Sequence, residues 1–483
     1  MRAGRTGQLK GMGIFTRERA TQSHLSKRYA GKEVQGKDLR TPQLTMMTVG
    51  GIIGSGLFLA SGQAIRLAGP GVILAYLIGA TVMAIEVTAL AEMSAADPEK
   101  GSFLVYSRRA LGPGFTFVGG WIFWFSSVLN LAAEATAAGI FTHVWLPHLP
   151  TWVISTAFAL IIVGINFLTV RGFSEVESGM AVIKVTAIAL FIVLFALIVF
   201  VGWPVHLGNG TASWSSAGGF FPMGLRGVAA AMILVMFSMA GTGVLGLAAA
   251  SVRNPERTIG PAVHNSAAMV YFLYIGSALA ITAVIPWNQV PTSGVSPFLA
   301  ALHKAPWPAV GQIFNGVILL AVLSAMNAGL FATDRVLAGL SKAKDAPHWF
   351  EEKGDSPPRA ANAATGVLLV AVTLLTYFLP KTAFLYLVTA TGFQALFIWV
   401  LIVLTQIYYR RHLVKEHPER LRLKVPWHPW ISILEIVVLV AIIATAPLAP
   451  HQMLSLGLGV AVTALFLIVY LFVRPRRRAE QEA

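Results

Sequence analysis

The chain contains no cysteine. Disulfides, zinc–thiolate sites and cysteine nucleophiles are therefore excluded. Charge is scarce too: Asp, Glu, Lys and Arg make up 12% of the 483 residues, with 21 acidic against 36 basic. The enzyme motifs H-E-x-x-H and G-x-S-x-G are missing. No polar stretch is long enough to fold as a soluble domain between the apolar segments. What is abundant is hydrocarbon. Hydrophobic residues are 56% of the chain, mean hydropathy is +0.69, and apolar runs of about 20 residues recur from end to end. This is the composition of an all-α, multi-span membrane protein.

Twelve spans are predicted, roughly 42–66, 71–95, 115–143, 151–170, 175–202, 224–251, 260–286, 309–340, 361–380, 383–409, 430–448 and 452–473. Each is long enough for about 30 Å of hydrocarbon. The implied organisation is a basic tail (1–40), a core (41–409) whose halves are about 41–202 and 224–409, a loop (410–429), two more helices (430–473) and a second basic tail (474–483). The first 40 residues have no apolar core or cleavage pattern and do not read as a secretory signal. Trp203 and Trp214, in a segment rich in Gly, Ser and Trp, suit an interfacial belt.

The net charge of +15 resembles a nucleic-acid signal, but its distribution points elsewhere. With the N-terminus inside, 31 of the 36 Lys and Arg fall on inward loops and tails; Arg66, Arg226, Lys304 and Lys381 fall outward, and Lys184 lies within a span. This is the positive-inside bias, and it places both termini in the cytoplasm, where the tails could also touch anionic lipid. No nucleic-acid partner is expected.

Two clusters of glycine interrupt spans. One is Gly50-Gly-Ile-Ile-Gly-Ser-Gly56 in span 1; the other is Gly241-Thr-Gly243, followed by Gly246, in span 6. Each glycine weakens a helix by about 1 kcal/mol relative to alanine. A broken helix in a membrane is tolerated only where protein or a wet cavity satisfies its backbone. Freed N–H groups after the first break favour a carboxylate, with Ser55 adding a hydroxyl. Freed carbonyls at the second favour an ammonium group. The alternative for both clusters is a small-residue packing face. Gly241–Gly246 also matches G-x-G-x-x-G, but a dinucleotide fold needs a soluble βαβ unit and an acid about 20 positions on, and residues 257–270 contain neither Asp nor Glu. Five spans run from each break to the end of its half. Five is odd, so the halves have inverted topology, as in many secondary transporters.

Lys184 lies about ten residues into span 5, about 15 Å deep at 1.5 Å per residue. A central lysine costs about 2.5–3.5 kcal/mol to insert. It reads either as a carrier of a coupling proton or as a fixed cation pinning the broken helix. Glu86 and Glu134 are also intramembrane: proton sites, partners for a cation, or protonated carboxyls in the bundle. Asn130, Asn166, Asn315, Asn327 and Gln394 are candidates for the pathway or for interhelical hydrogen bonds. Phe237, just before the second break, is a candidate cover for a site or plain packing.

At these residues the chain resembles the amino acid–polyamine–organocation superfamily, and within it the bacterial amino acid permeases. The motifs are Gly50-Gly-Ile-Ile-Gly-Ser-Gly-Leu-Phe-Leu, Ala68-Gly-Pro-Gly, Leu90-Ala-Glu-Met, Gly101-Ser-Phe, Ala133-Glu-Ala-Thr-Ala, Val182-Ile-Lys-Val and Asn254-Pro-Glu. The resemblance implies an inverted five-plus-five core with broken helices 1 and 6, two further helices, and alternating access. It implies that Ser55 and Gly56 meet the amino acid carboxylate and that the Ile52 carbonyl faces the amine. Phe237 would serve as an aromatic gate, with Ala240, Ser238 and Gly241 near the amine, and Lys184 would stand where relatives hold a sodium ion. Gly243 and Ser251 occupy positions where many relatives carry acids, so the roles of those acids do not carry over.

The resulting expectation is a permease in a bacterial inner membrane that imports a neutral L-amino acid by alternating access, coupled to a proton and needing no cofactor or metal. The alternatives are an amino acid exchanger, a carrier of cationic amino acids or polyamines, and a non-transporting amino acid sensor.

Overall fold

A computed structural model describes residues 39–97, 103–168, 173–202, 214, 218–243, 245, 252, 254–292, 294–304, 307–351, 357–379, 382–449 and 452–482. Residues 1–38, Gly101, Ser102, Trp203, Gly246 and Ser251, singled out above, lie outside the described residues. Among the described residues all regular structure is helical. Eight helices are long and apolar enough to cross a membrane, and three shorter apolar helices join them. The first of the eight, Gly56–Ala96, passes through the Gly69–Gly71 turn and takes in parts of two expected spans.

The first expected span is split. Helix α1, Thr41–Ile52, stops at Ile53, and the chain resumes through a wide turn, Gly56–Ala60, into α2, Ser61–Ala68. Then come α3, Val72–Ala96; α4, Leu104–Ala110; α5, Pro113–His143; α6, Thr151–Leu168; and α7, Phe173–Phe200. Helix α8, Gly224–Ser238, ends at the second glycine cluster. The chain continues with α9, Pro255–Val270; α10, Gly276–Val284; α11, Pro297–Leu302; α12, Pro308–Lys342; α13, Arg359–Leu375; α14, Ala383–Glu416; α15, Trp430–Ala444; and α16, Gln452–Glu482. Proline opens α5, α9, α11 and α12, where a missing N–H costs no helical hydrogen bond.

Packing gathers these helices around the two interrupted ones. α1 lies against α7 and α9, α2 against α8, and α3 against α9 and α8. α5 packs on α12, α14 and α6, and α6 on α13. α14 is mostly buried, whereas α16 turns Leu454, Leu458, Leu465, Leu471 and Phe472 outward. Water would penalise that apolar surface by roughly 25 cal/mol per Å2; hydrocarbon does not.

The loop 417–429 is fastened to α3. The buried Glu92 carboxylate accepts from Gln406 Nε2 (2.8 Å), Arg410 Nη1 (3.2 Å) and the Val425 backbone N–H (2.6 Å). His428 adjoins this cluster, 3.4 Å from Gln406 Nε2; burial, then the Arg410 and Arg411 guanidiniums, push its imidazole down to about 4.

Candidate functional site at two helix breaks

The breaks touch each other, and glycine is what permits it. A Cβ on Gly241 would sit 2.2 Å from the Gly51 carbonyl oxygen, and one on Gly56 would sit 2.5 Å from the Ser238 Cα. Gly241 also has φ of +113°, a conformation that side-chain-bearing residues rarely adopt. The clusters therefore unwind two helices and also let their ends meet.

One phenol ties the ends together. The Tyr274 hydroxyl lies 2.7 Å from the Ser238 carbonyl and 3.2 Å from that of Ile52, so its single proton serves both. Tyr274 is fully buried and packs edge-on against Tyr76, centroids 5.7 Å apart. The Ile52 carbonyl, expected to face an amine, thus already has a donor. The Ser238 hydroxyl donates back to Leu234 O (2.9 Å) and Phe237 is buried beside it.

The positive end of the half-helix after the first break is also occupied. Glu134 on α5 accepts from the Ser55 backbone N–H (3.1 and 3.0 Å to its two oxygens) and from the Ser55 hydroxyl (3.0 Å). A Cβ on Gly54 would come within 2.5 Å of the same carboxylate. An internal carboxylate therefore sits at the Ser55 donors, where sequence reasoning placed that of a small molecule.

Lys184 is fully buried. Its ammonium donates to the Gly50 carbonyl (2.8 Å) and lies 3.7 Å from Glu177 Oε1, which also accepts from the Ser324 hydroxyl (2.8 Å). Sequence reasoning missed Glu177. The available signal was its spacing: seven residues before Lys184 on one helix, two turns away on the same face. Tyr274 left no comparable sign, since an apolar span with tyrosines is unremarkable.

A cavity of about 110 Å3 adjoins the breaks. It is lined by Gly51, Glu86, Asn130, the segment Ala240–Gly243, and residues of α12 and α14, including Thr333, Thr391 and Trp399. Of the candidate binding residues, Ala240 and Gly241 line it; Ile52, Ser55, Gly56, Phe237 and Ser238 are buried outside its lining. Outside the cavity lining, Phe58, Phe191, Phe298 and Phe314 form a ring cluster, with Phe191 and Phe298 centroids 4.7 Å apart, and Ser296 Oγ donates to Phe58 O (2.7 Å). Asn166 bonds Asn327 between α6 and α12 (2.8 Å), and Asn315 bonds Phe141 O between α12 and α5 (3.0 Å). Gln394 is buried outside the cavity lining.

The amino acid permease family model matches residues 43–482, nearly everything beyond the basic tail. The chain belongs to the amino acid permease family. This permease is 34% identical over 447 residues to the uncharacterized amino acid permease YtnA of Bacillus subtilis, covering 91% of this chain and 95% of that one. It is 33% identical to the gamma-aminobutyric acid permease of the same organism, over 92% and 95% of the two chains. It is 34% identical to the aromatic amino acid transport protein AroP of Corynebacterium glutamicum, over 91% and 95%. Its relatives are named as transporters, so the permease is no enzyme, and it is a multi-pass membrane protein with an amino acid as its class of substrate.

Proposed function

We propose that the permease imports a neutral amino acid together with a proton, by alternating access between inverted repeats 41–202 and 224–409 within a twelve-span chain. The observation that carries this is the pair of touching helix breaks with a wholly buried lysine bonded to the end of one of them. A zwitterion suits breaks that present N–H groups at one end and carbonyls at another. Gamma-aminobutyric acid and the aromatic amino acids, for which two relatives are named, are zwitterions without net charge.

We take both termini as cytoplasmic; on that reading the 110 Å3 cavity is the inward one and the phenylalanine cluster the outward closure. Glu134 holds the Ser55 donors in this state. A substrate carboxylate that arrives there competes with it. Two carboxylates share such donors only with a proton between them, which ties substrate entry to protonation. Lys184 supplies the second candidate for coupling: its charge braces α1 through Gly50, and its loss would free that helix end.

The test is uptake by the full-length protein in proteoliposomes with an imposed pH gradient. Concentrative uptake that follows the gradient is expected, with Lys184→Ala losing at least 90% of it and Glu134→Gln losing its dependence on outside acidity. Uptake indifferent to the gradient, or full concentrative uptake in Lys184→Ala, would sink the proton assignment. Counterflow with leucine, arginine and putrescine separates import of neutral amino acids from exchange and from cationic carriage.

A further inference from the structure

Glu86 is a buried acidic residue that this mechanism leaves unused. It lies on α3, is completely buried, and is one of the residues lining the inward cavity. Neither carboxylate oxygen has a hydrogen-bond partner. The Thr242 hydroxyl lies alongside, outside hydrogen-bonding geometry. Glu435 on α15, also buried with both oxygens unpartnered, is of the same sign and feels the Glu86 carboxylate. An unpaired buried carboxylate is costly, and a second one behind it raises the cost. A visiting cation would relieve that cost.

The wall in front of Glu86 is the second break. Residues Met239–Thr242 form turns rather than helix, and Gly243 contributes no side chain, so a Cβ there would meet nothing nearer than Phe123 Cζ at 3.4 Å. The break carbonyls of Ile52 and Ser238 already receive the Tyr274 proton, and Ser55 already serves Glu134. Among the described lining residues, the buried polar side-chain atoms left without a partner are the two Glu86 oxygens and the Thr391 hydroxyl.

We propose that Glu86 is the acceptor for the substrate's primary ammonium group in the inward cavity, reached between Thr242 and Gly243. The assignment rests on the amino acid substrate proposed above and adds where its positive end is held. It leaves the Ser55 end of the site for the carboxylate. An α-amine and an amine at the far end of the chain present the same chemistry to Glu86, so the experiment separates them.

The experiment pairs each amino acid with its analogue lacking the amine: 4-aminobutanoate with butanoate, and leucine with 4-methylpentanoate. Binding to the full-length protein is measured by competition in proteoliposomes, for wild type and Glu86→Gln. In the wild type, removing the amine should weaken binding at least 30-fold for the pair whose amine reaches Glu86. In Glu86→Gln that ratio should fall at least tenfold, while affinity for the amine-free partner stays within about threefold. A purely structural role would weaken both partners equally. A role as proton carrier would leave the ratio intact and abolish gradient-driven accumulation instead. Either result overturns the assignment. Glutamine removes an unpaired charge at nearly constant volume, so the variant should be at least as thermostable as wild type. Should it fail to fold, Glu86→Asp, with its carboxylate drawn back by one methylene, must still lower the ratio severalfold, and an unchanged ratio overturns the assignment. A wild type that takes up none of the twenty amino acids or 4-aminobutanoate removes the substrate reading itself, and this assignment with it. Uptake with an unaltered ratio removes the assignment alone.

Discussion

The Lys184 ammonium sits 2.8 Å from the Gly50 carbonyl oxygen, where it braces the last turn of a helix that stops two residues later. Its counter-ion, Glu177, shares the same closed space, and a Cβ on Gly50 would press within 3.0 Å of that carboxylate. Cation, carboxylate and helix end form one unit, so each should be energetically coupled to the others.

Glu177→Gln is expected to destabilise the protein by about 3–5 kcal/mol, because it removes the nearest counter-charge of a fully buried lysine. Lys184→Met alone should cost a similar amount. The double variant should cost less than either single change, since no unpaired charge remains. Thermal or denaturant unfolding of the three variants in one detergent gives the coupling energy; simple additivity would contradict the pairing.

Tyr274→Phe keeps the ring against Tyr76 and removes only the hydroxyl that links the Ile52 and Ser238 carbonyls. Two buried acceptors lose a donor, so a loss of about 1–3 kcal/mol is expected. Transport should fall more than stability does, because the breaks lose their tie. A variant with wild-type melting temperature and wild-type uptake would show the bridge to be idle.

Two glycines two residues apart should respond differently. Gly241→Ala places a methyl group 2.2 Å from the Gly51 carbonyl oxygen at a φ of +113°, and the expected outcome is loss of a monodisperse peak in size-exclusion chromatography. Gly243→Ala meets only Phe123 at ordinary contact distance and should fold and elute as a monodisperse peak. Equal behaviour of the two would contradict the contact between the breaks.

His428 predicts a pH dependence outside the membrane. Its folded imidazole is pushed down to about 4, below the usual value near 6.5, by burial and then by Arg410 and Arg411. Between those values the unfolded chain binds the extra proton, so stability falls as pH drops from about 6.5 toward 4 and the contribution is fully present above 6.5. His428→Asn should remove that part of the slope. Melting curves of both proteins from pH 7.5 to 4.5 check it: parallel slopes would show that His428 is not held neutral. The effect should be modest, because the residue is only partly buried and water screens the two guanidiniums.

Much of the architecture was legible because the bilayer imposes a length and a polarity on each segment. Hydropathy marked a multi-span helical protein, and glycine located both interruptions: α1 ends at Ile52 and α8 at Ser238, where the clusters lie. Residue Lys184 stood out because a charge in hydrocarbon is expensive wherever it is found. Partners are another matter. Glu134 at Ser55 spans 79 positions of sequence and Tyr274 at Ile52 spans 222, and no periodicity encodes such pairings.

By itself, then, the sequence determined the membrane class, the helical content, the two breaks and the family, all of which depend on local composition and motif. Only the tertiary structure decided that the breaks touch, that Tyr274 holds both, that Glu134 occupies the Ser55 donors and that Glu86 faces the cavity wall without a partner. Those are matters of which buried polar group finds which partner. In a solvent-free interior that is settled by three-dimensional proximity, because every donor and acceptor competes for the few others within reach.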